Sequence, residues 1–349
     1  MDVTKRQLLI LQAIIDDYIL TGIPVGSRTL SKREDINYSS ATIRNEMADL
    51  EEGGYLEQPH TSAGRRPSDK AYRLYVDTLM RVSRLNQNEV GIIRNYFDEK
   101  VSEIEGVVDR AAKVLSEVTN LTSLVLAPQL SRIEIKRIQL VRLSGTKALM
   151  LFVFDTGQVK DVLLNLSEDL SPDYLEMISN LLTEKVSGRA LPDAVKAVRA
   201  ALTGEIARHR QFMNNLLGAL EGNAAPKIGR EVVLGGTKNI FNHLEYGNVD
   251  KAKNLLQLLE TKDALYELLS RATDMEFTVH IGQENEIEEL KDMSVVTATY
   301  KIGDKKIGSF GVIGPTRMNY GKVISVLSCV STSMNEILKY CLNTEIEPN

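Results

Sequence analysis

Residues 39–54 constrain this chain more tightly than any other stretch. They run Ser39-Ser40-Ala41-Thr42-Ile43-Arg44-Asn45-Glu46-Met47-Ala48-Asp49-Leu50-Glu51-Glu52-Gly53-Gly54. Ser39 or Ser40 can cap a helix by accepting from the free backbone N–H groups of its first turn. Ile43, Met47 and Leu50 then recur at helical spacing and form one buried stripe. Gly53-Gly54 ends the helix, because glycine adopts the left-handed conformation that a helix stop needs. Off the stripe, the first turns present Ser40, Thr42, Arg44 and Asn45. Short hydroxyls suit phosphate anchoring, an arginine can fork onto guanine, and an asparagine can pair with adenine. The acids Asp49, Glu51 and Glu52 crowd the far end, so the N-terminal half is the half that faces DNA.

The flanks fit the same reading. Pro24-Val25-Gly26-Ser27-Arg28-Thr29-Leu30-Ser31 predicts a short helix before a tight turn, with Arg28 beside the candidate surface. Residues 55–58 predict a strand, and residues 60–66 a loop that carries His60, Thr61, Ser62, Arg65 and Arg66. Short helix, turn, longer helix, glycine stop, strand and basic loop is the order of a winged helix-turn-helix. Arginines in such a wing meet phosphate or a narrow minor groove. Bulk charge adds nothing: residues 24–73 hold eight bases against eight acids, and the whole chain has a formal net charge of −5. Affinity for DNA must therefore come from a local surface.

Upstream, Thr4 with Gln7 predicts a capping box, followed by an apolar face of Leu8, Leu11, Ile15 and Tyr18 that ends near Gly22. Residues 68–79 predict a helix leaving the wing, and residues 81–88 a polar connection. Val90, Ile93, Phe97, Val101, Ile104, Val108, Ala111, Leu115 and Val118 then alternate by three and four. That stripe fits a long helix laid on a sheet or a coiled coil, and the first reading is preferred. Strands are expected at 123–127, 133–143, 147–154 and 159–166, with hairpin turns at Gly145-Thr146 and Asp155-Thr156-Gly157. Helical patterns follow from residue 171: Tyr174, Ile178, Leu181 and Leu182, then Val195, Val198 and Leu202, then Phe212, Leu216 and Leu220. A short strand at 232–236 and a leucine-rich helix over 249–271 come next. Strands at 277–281, 295–302 and 306–313 precede a final helix over 320–342. One α+β domain with a mostly helical domain inserted in it is the simplest topology. The helices of 171–271 exceed what one sheet needs, so this block is expected to supply a homodimer interface, with the 90–118 stripe packing inside its own subunit.

Other classes are excluded. A chain of 349 residues allows two or three domains, and 43% hydrophobic with 26% charged residues is ordinary for a soluble protein. Two cysteines, Cys329 and Cys341, make neither a disulfide framework nor a zinc cluster and suit a reducing cytoplasm. The first residues open directly into an amphipathic helix, so no signal peptide is expected. The longest apolar run, residues 148–154, is far below the roughly 20 residues that span a bilayer, so no membrane partner is expected. His60, His209, His243 and His280 are scattered without metal-ligand spacing. Residues 314–322 superficially resemble a phosphate loop, but the spacing is wrong and Val323 replaces the required hydroxyl. No cofactor and no catalysis are expected. Two functions remain: a dimeric repressor, or a winged-helix regulator that senses a metabolite in its α+β domain.

Four strings carry a resemblance. Ser39-Ser40-Ala41-Thr42-Ile43-Arg44-Asn45-Glu46-Met47, His60-Thr61-Ser62-Ala63-Gly64-Arg65, Pro67-Ser68-Asp69-Lys70-Ala71-Tyr72-Arg73-Leu74-Tyr75-Val76-Asp77 and Gly311-Val312-Ile313-Gly314-Pro315-Thr316-Arg317-Met318-Asn319-Tyr320 resemble the heat-inducible transcription repressor HrcA family. The likeness covers nearly the whole chain. Arg66 departs from the family's usual aliphatic residue and Ala71 from its frequent glycine; the first adds charge to the wing. The resemblance implies an α+β multidomain chain: a winged helix-turn-helix over 1–80, a GAF-like domain over 88–167 and 273–345, and an inserted dimerising domain over 168–272. It further implies a cytoplasmic homodimer on an inverted-repeat operator of the CIRCE type, repressing chaperone operons in dependence on the GroE chaperonin.

Overall fold

The computed structural model describes residues 3–60, 63–98, 104–127, 134–154, 159–166, 169–202, 212, 214–216, 231–243, 245, 249–272, 276–302 and 305–344. The chain is α+β with several sheets and divides into two compact units, Met1–Leu126 with Val232–Leu338, and Ala127–Glu231 with Lys339–Asn349.

In the first unit, helix α1 (Lys5–Thr21) starts at a reciprocal cap: Gln7 N–H donates to the Thr4 hydroxyl at 3.2 Å, and Thr4 N–H donates to the Gln7 side chain at 2.9 Å. It ends at Gly22, whose φ of 67° lets its N–H reach the Tyr18 carbonyl at 2.8 Å. Helix α2 (Ser27–Leu30) and helix α3 (Ser40–Glu52) follow. Ile43, Met47 and Leu50 of α3 are buried, with Ile10, Ile14 and Leu30 also in the core; each such side chain is worth about 1.5–3 kcal/mol of burial. The stop of α3 is a Schellman turn. Gly54 has φ 76°, Tyr55 N–H reaches the Leu50 carbonyl at 2.8 Å, and Gly54 N–H reaches that of Glu51 at 2.9 Å. Strands β1 (Leu56–Glu57) and β2 (Arg66–Pro67) pair antiparallel, and Val25 bridges to Arg65 alongside them. Gly64 has to be glycine there, since an added Cβ would sit 2.5 Å from the Val25 backbone. Helix α4 (Asp69–Leu74) continues into a π-turn, Tyr75–Leu79. Residues 3–79 form the head of this unit.

The body of the same unit is a five-stranded antiparallel sheet in the order β8-β3-β11-β10-β9. Its strands are β3 (Thr122–Leu126), β8 (Val232–Gly235), β9 (Phe277–Ile281), β10 (Met293–Ile302) and β11 (Lys305–Pro315). Helix α6 (Ile104–Thr119) and the start of α11 (Tyr320–Thr344) lie on one face, where Ser123 bonds to the Ala112 carbonyl and Ser294 to the Tyr320 hydroxyl. Helices α9 (Val249–Glu260) and α10 (Lys262–Ser270) cover the other, packing Leu255, Leu259, Leu265 and Leu269 on Leu124, Val295 and Ile313. The 90–118 stripe is not one long helix. It divides into α5 (Gln87–Asp98) and α6, folded back so that the Tyr96 hydroxyl donates to Glu117 at 2.6 Å. On a continuous helix those residues would stand roughly 30 Å apart.

The second unit holds a separate sheet in the order β6-β5-β4-β7, built from β4 (Glu134–Ser144), β5 (Lys147–Phe154), β6 (Val159–Asn165) and β7 (Arg189–Ala190). Helix α7 (Pro172–Val186) buries Leu175, Ile178, Leu182 and Val186 against Ile138, Leu140, Met150 and Phe152. Helix α8 (Leu191–Leu202) packs beside it. The expected boundaries are therefore corrected. The strands expected over 123–166 do not share a sheet: only β3 joins the body, and β4 to β6 belong to the inserted unit of 127–231. The described helices of 171–271 are not surplus either, because α7 and α8 cover one sheet and α9 and α10 the other. Among the described residues, no helix is long and apolar enough to cross a membrane.

Candidate nucleic-acid interface

The outward face of α3 presents exposed polar side chains. Ser39 is the cap: its hydroxyl accepts from Thr42 N–H at 3.1 Å and lies 2.9 Å from the Thr42 hydroxyl. Ser40 is turned the other way, 3.1 Å from the Ser27 hydroxyl, and so pins the start of α2 to the start of α3. That bond sets the exposed Arg28 beside the first turn of α3. Arg44 and Asn45 are exposed one turn further on and bond to nothing among the described residues. The first-turn N–H groups of a capped helix add a positive end to the same surface.

The wing differs from expectation. Arg65 reaches Glu51 through both Nε and a terminal nitrogen at 2.8 Å, with only a fifth of its side chain exposed. Arg66 faces Glu57 across the β1–β2 ladder at 2.8 Å, with both side chains half exposed. Both arginines stand in or beside the ladder rather than at its tip, and each already has a carboxylate. His60 is exposed; Thr61 and Ser62 lie outside the described residues. Arg6 and Tyr38 went unread in the sequence. The Arg6 guanidinium is 5.6 Å from the Tyr38 ring centroid and 3.1 Å from Glu46 of α3, at the edge of the same face. Tyr38 could have been found, since it precedes the cap; Arg6 is brought there only by the fold.

A metabolite in the body meets a sheet covered by helices on both faces. A cleft of about 680 Å³ does open beside α4, lined by Tyr18, Lys70, Tyr72, Glu245, Gln283 and Arg317 among others. The Tyr72 hydroxyl is buried without a hydrogen-bond partner among the described residues, and burial first of all holds its pKa well above the ordinary tyrosine value. Among the described residues, no three His, Cys, Asp or Glu side chains gather as metal ligands.

The family model for the HrcA protein C-terminal domain matches residues 105–324. The heat-inducible transcription repressor HrcA of Brevibacillus brevis is 42% identical over 335 residues, spanning 96% of this chain and 98% of that protein. The chain belongs to the HrcA family. The HrcA protein of Bacillus pumilus is likewise 42% identical, over 337 residues, 96% of this chain and 98% of its own length. The match of the HrcA family model leaves out α3 and the wing; the full-length HrcA relatives span them. Those relatives are transcription repressors, a non-enzymatic role. A crystal structure described as that of a hypothetical protein superposes with TM-score 0.65 at 24% identity, over 97% of this chain and all of that one, which shows a shared fold.

Proposed function

We propose that the head is a winged helix-turn-helix that binds double-stranded DNA, and that the chain represses heat-shock chaperone operons as a homodimer on an inverted-repeat operator of the CIRCE type. The observation that carries this reading is the start of α3, where Arg44 and Asn45 stand exposed while Ile43, Met47 and Leu50 hold the helix from behind. Arg28, Ser39 and Thr42 border that face, with Ser40 holding α2 in place. Membership of the HrcA family supports the choice of operons. The five-stranded body between helices is taken as GAF-like.

The homodimer is assigned to the open face of the four-stranded sheet. Val141, Leu149 and Leu163 share one row of its register, and Val153 and Val159 another, with Leu151 between them. Val141, Leu143, Val159 and Leu163 are large hydrophobics left exposed, and contiguous apolar surface of this kind marks an interaction site. Arg137 and Asp161 share the face, which gives it charges of both signs for a self-complementary two-fold contact. Dependence on the GroE chaperonin belongs to the same family reading. When heat-damaged proteins occupy the chaperonin, less repressor stays folded and transcription rises.

A gel shift with an inverted repeat, a half-site and random DNA tests the proposal. Tightest binding to the inverted repeat is expected, and equal binding to all three would overturn it. Refolding the chain with and without the chaperonin, then measuring the operator-competent fraction, tests the dependence.

A further inference from the structure

The head and the body of the first unit are joined by groups that the DNA surface does not use. Arg317, from the Gly-Pro-Thr-Arg-Met-Asn-Tyr segment, points at the C-terminal turn of α1. It donates to the Ile19 carbonyl at 3.2 Å and is forked on Glu245, with one contact at 3.2 Å. Helix α1 has no basic residue in its last turn, so this guanidinium is the cation at the negative end of its dipole. It packs so close that a Cβ on Gly22 would meet it at 3.3 Å. On the other flank, Arg73 of α4 donates to Glu284 through two nitrogens, one at 2.8 Å, and to the Val279 carbonyl at 2.6 Å. Asp69 accepts from Gln283 N–H at 3.1 Å, while Tyr72 and Tyr320 pack with ring centroids 6.0 Å apart. The chain leaving the head is seated as well, since Ser325 donates to the Ser83 carbonyl at 2.5 Å.

We infer that Arg73 and Arg317 are positioning residues for DNA recognition, holding the head at one orientation on the body and so setting the half-site spacing that the dimer accepts. The inference rests on the DNA-binding reading. A head tied only by a flexible connection such as residues 80–86 would wander by about 15 Å. A base pair advances only about 3.4 Å along the duplex, and half-sites lie about 34–36 Å apart. An unlatched head would therefore accept operators several base pairs too long or too short. Arginine suits the task because its planar fork fixes direction as well as distance, which a lysine cannot do.

The test uses the full chain and two double variants, Arg73→Gln with Arg317→Gln, and Glu245→Gln with Glu284→Gln. The second takes away the carboxylates that orient both guanidiniums without touching the head, and leaves the Ile19 and Val279 carbonyl contacts in place. Affinity is measured for a half-site and for inverted repeats with the spacer changed by two base pairs. The parent is expected to prefer its own spacing by about tenfold or more. Both variants should reduce that preference to about threefold or less while half-site affinity stays within about twofold. Variants that retain the parent's spacing preference would overturn the inference. A second readout needs no DNA: spin labels at Ala48→Cys and Lys238→Cys, with both native cysteines replaced, report the head-to-body distance. Both double variants should broaden that distribution, and an unchanged narrow one would overturn the latch. A parent that ignores inverted repeats while the variants still broaden the distribution would sink the DNA reading and leave the latch standing.

Discussion

Arg65 and Glu51 are joined through two guanidinium nitrogens, 14 residues apart in sequence, so the base of the wing is tied to the last turn of α3. Arg65 is therefore part of the scaffold, and Arg66 is the wing arginine with half its side chain exposed. Arg66→Ala is expected to lower the slope of log K against log salt by about one unit, as loss of one phosphate contact does. Arg65→Ala should leave the slope alone and cost on the order of 1 kcal/mol of stability. A drop of two units when both are neutralised would show that Arg65 leaves Glu51 to bind phosphate.

Ser39 and Ser40 look interchangeable in sequence, yet only Ser39 caps α3. Ser39→Ala should destabilise the chain by about 0.5–2 kcal/mol in denaturant melts. Ser40→Ala should cost less, because it removes one partner of a hydroxyl pair and no helix cap. Equal losses would mean that the cap moves.

Local chemistry made the head legible. The cap at Thr4, the stripe Ile43–Met47–Leu50 and the stop at Gly54 each follow from residues within one helix, and all three stand as the sequence implied. What stayed hidden is what depends on distance along the chain. Arg65 finds Glu51, and Arg317 finds Ile19 across 298 residues, with no periodicity to announce either. Sheet membership failed for a related reason. Strands β3 to β6 follow one another closely along the chain, and no residue in them says that β3 pairs with β8 and β11 while β4 to β6 form another sheet. The break between α5 and α6 was hidden too, because the three-and-four spacing runs on across it.

The assigned dimer face makes its own prediction. Leu149→Asp with Leu163→Lys places charges on the open side of β5 and β6, away from the packed face. Light scattering should show a monomer whose far-UV circular dichroism is unchanged and which still binds a half-site weakly. A dimer of unchanged mass would move the interface elsewhere.

Asp69 provides a pH test of the contact between α4 and the body. Burial is the first cause lifting its pKa above the ordinary 3.8, opposed by the Gln283 N–H and reinforced by Glu57, Glu284 and Asp292. A raised folded-state value means that the folded protein binds more protons. The contribution of Asp69 is then most favourable below pH 3.8 and declines as pH rises through the raised value. Asp69→Asn keeps an acceptor for Gln283 and removes the charge, so its Tm at pH 7 should equal or exceed the parent's. The difference should close as pH falls toward 4. A lower Tm at pH 7 would contradict the burial argument.

On the DNA-binding reading, the exposed start of α3 reads bases. The most direct measurement is the affinity of Arg44→Ala and Asn45→Ala for the inverted-repeat operator and for random DNA at one salt concentration. Each variant is predicted to lose about 1–3 kcal/mol on the operator and little on random DNA. Equal losses on the two sequences would reduce both residues to backbone contacts, and no loss on either would take α3 off the DNA.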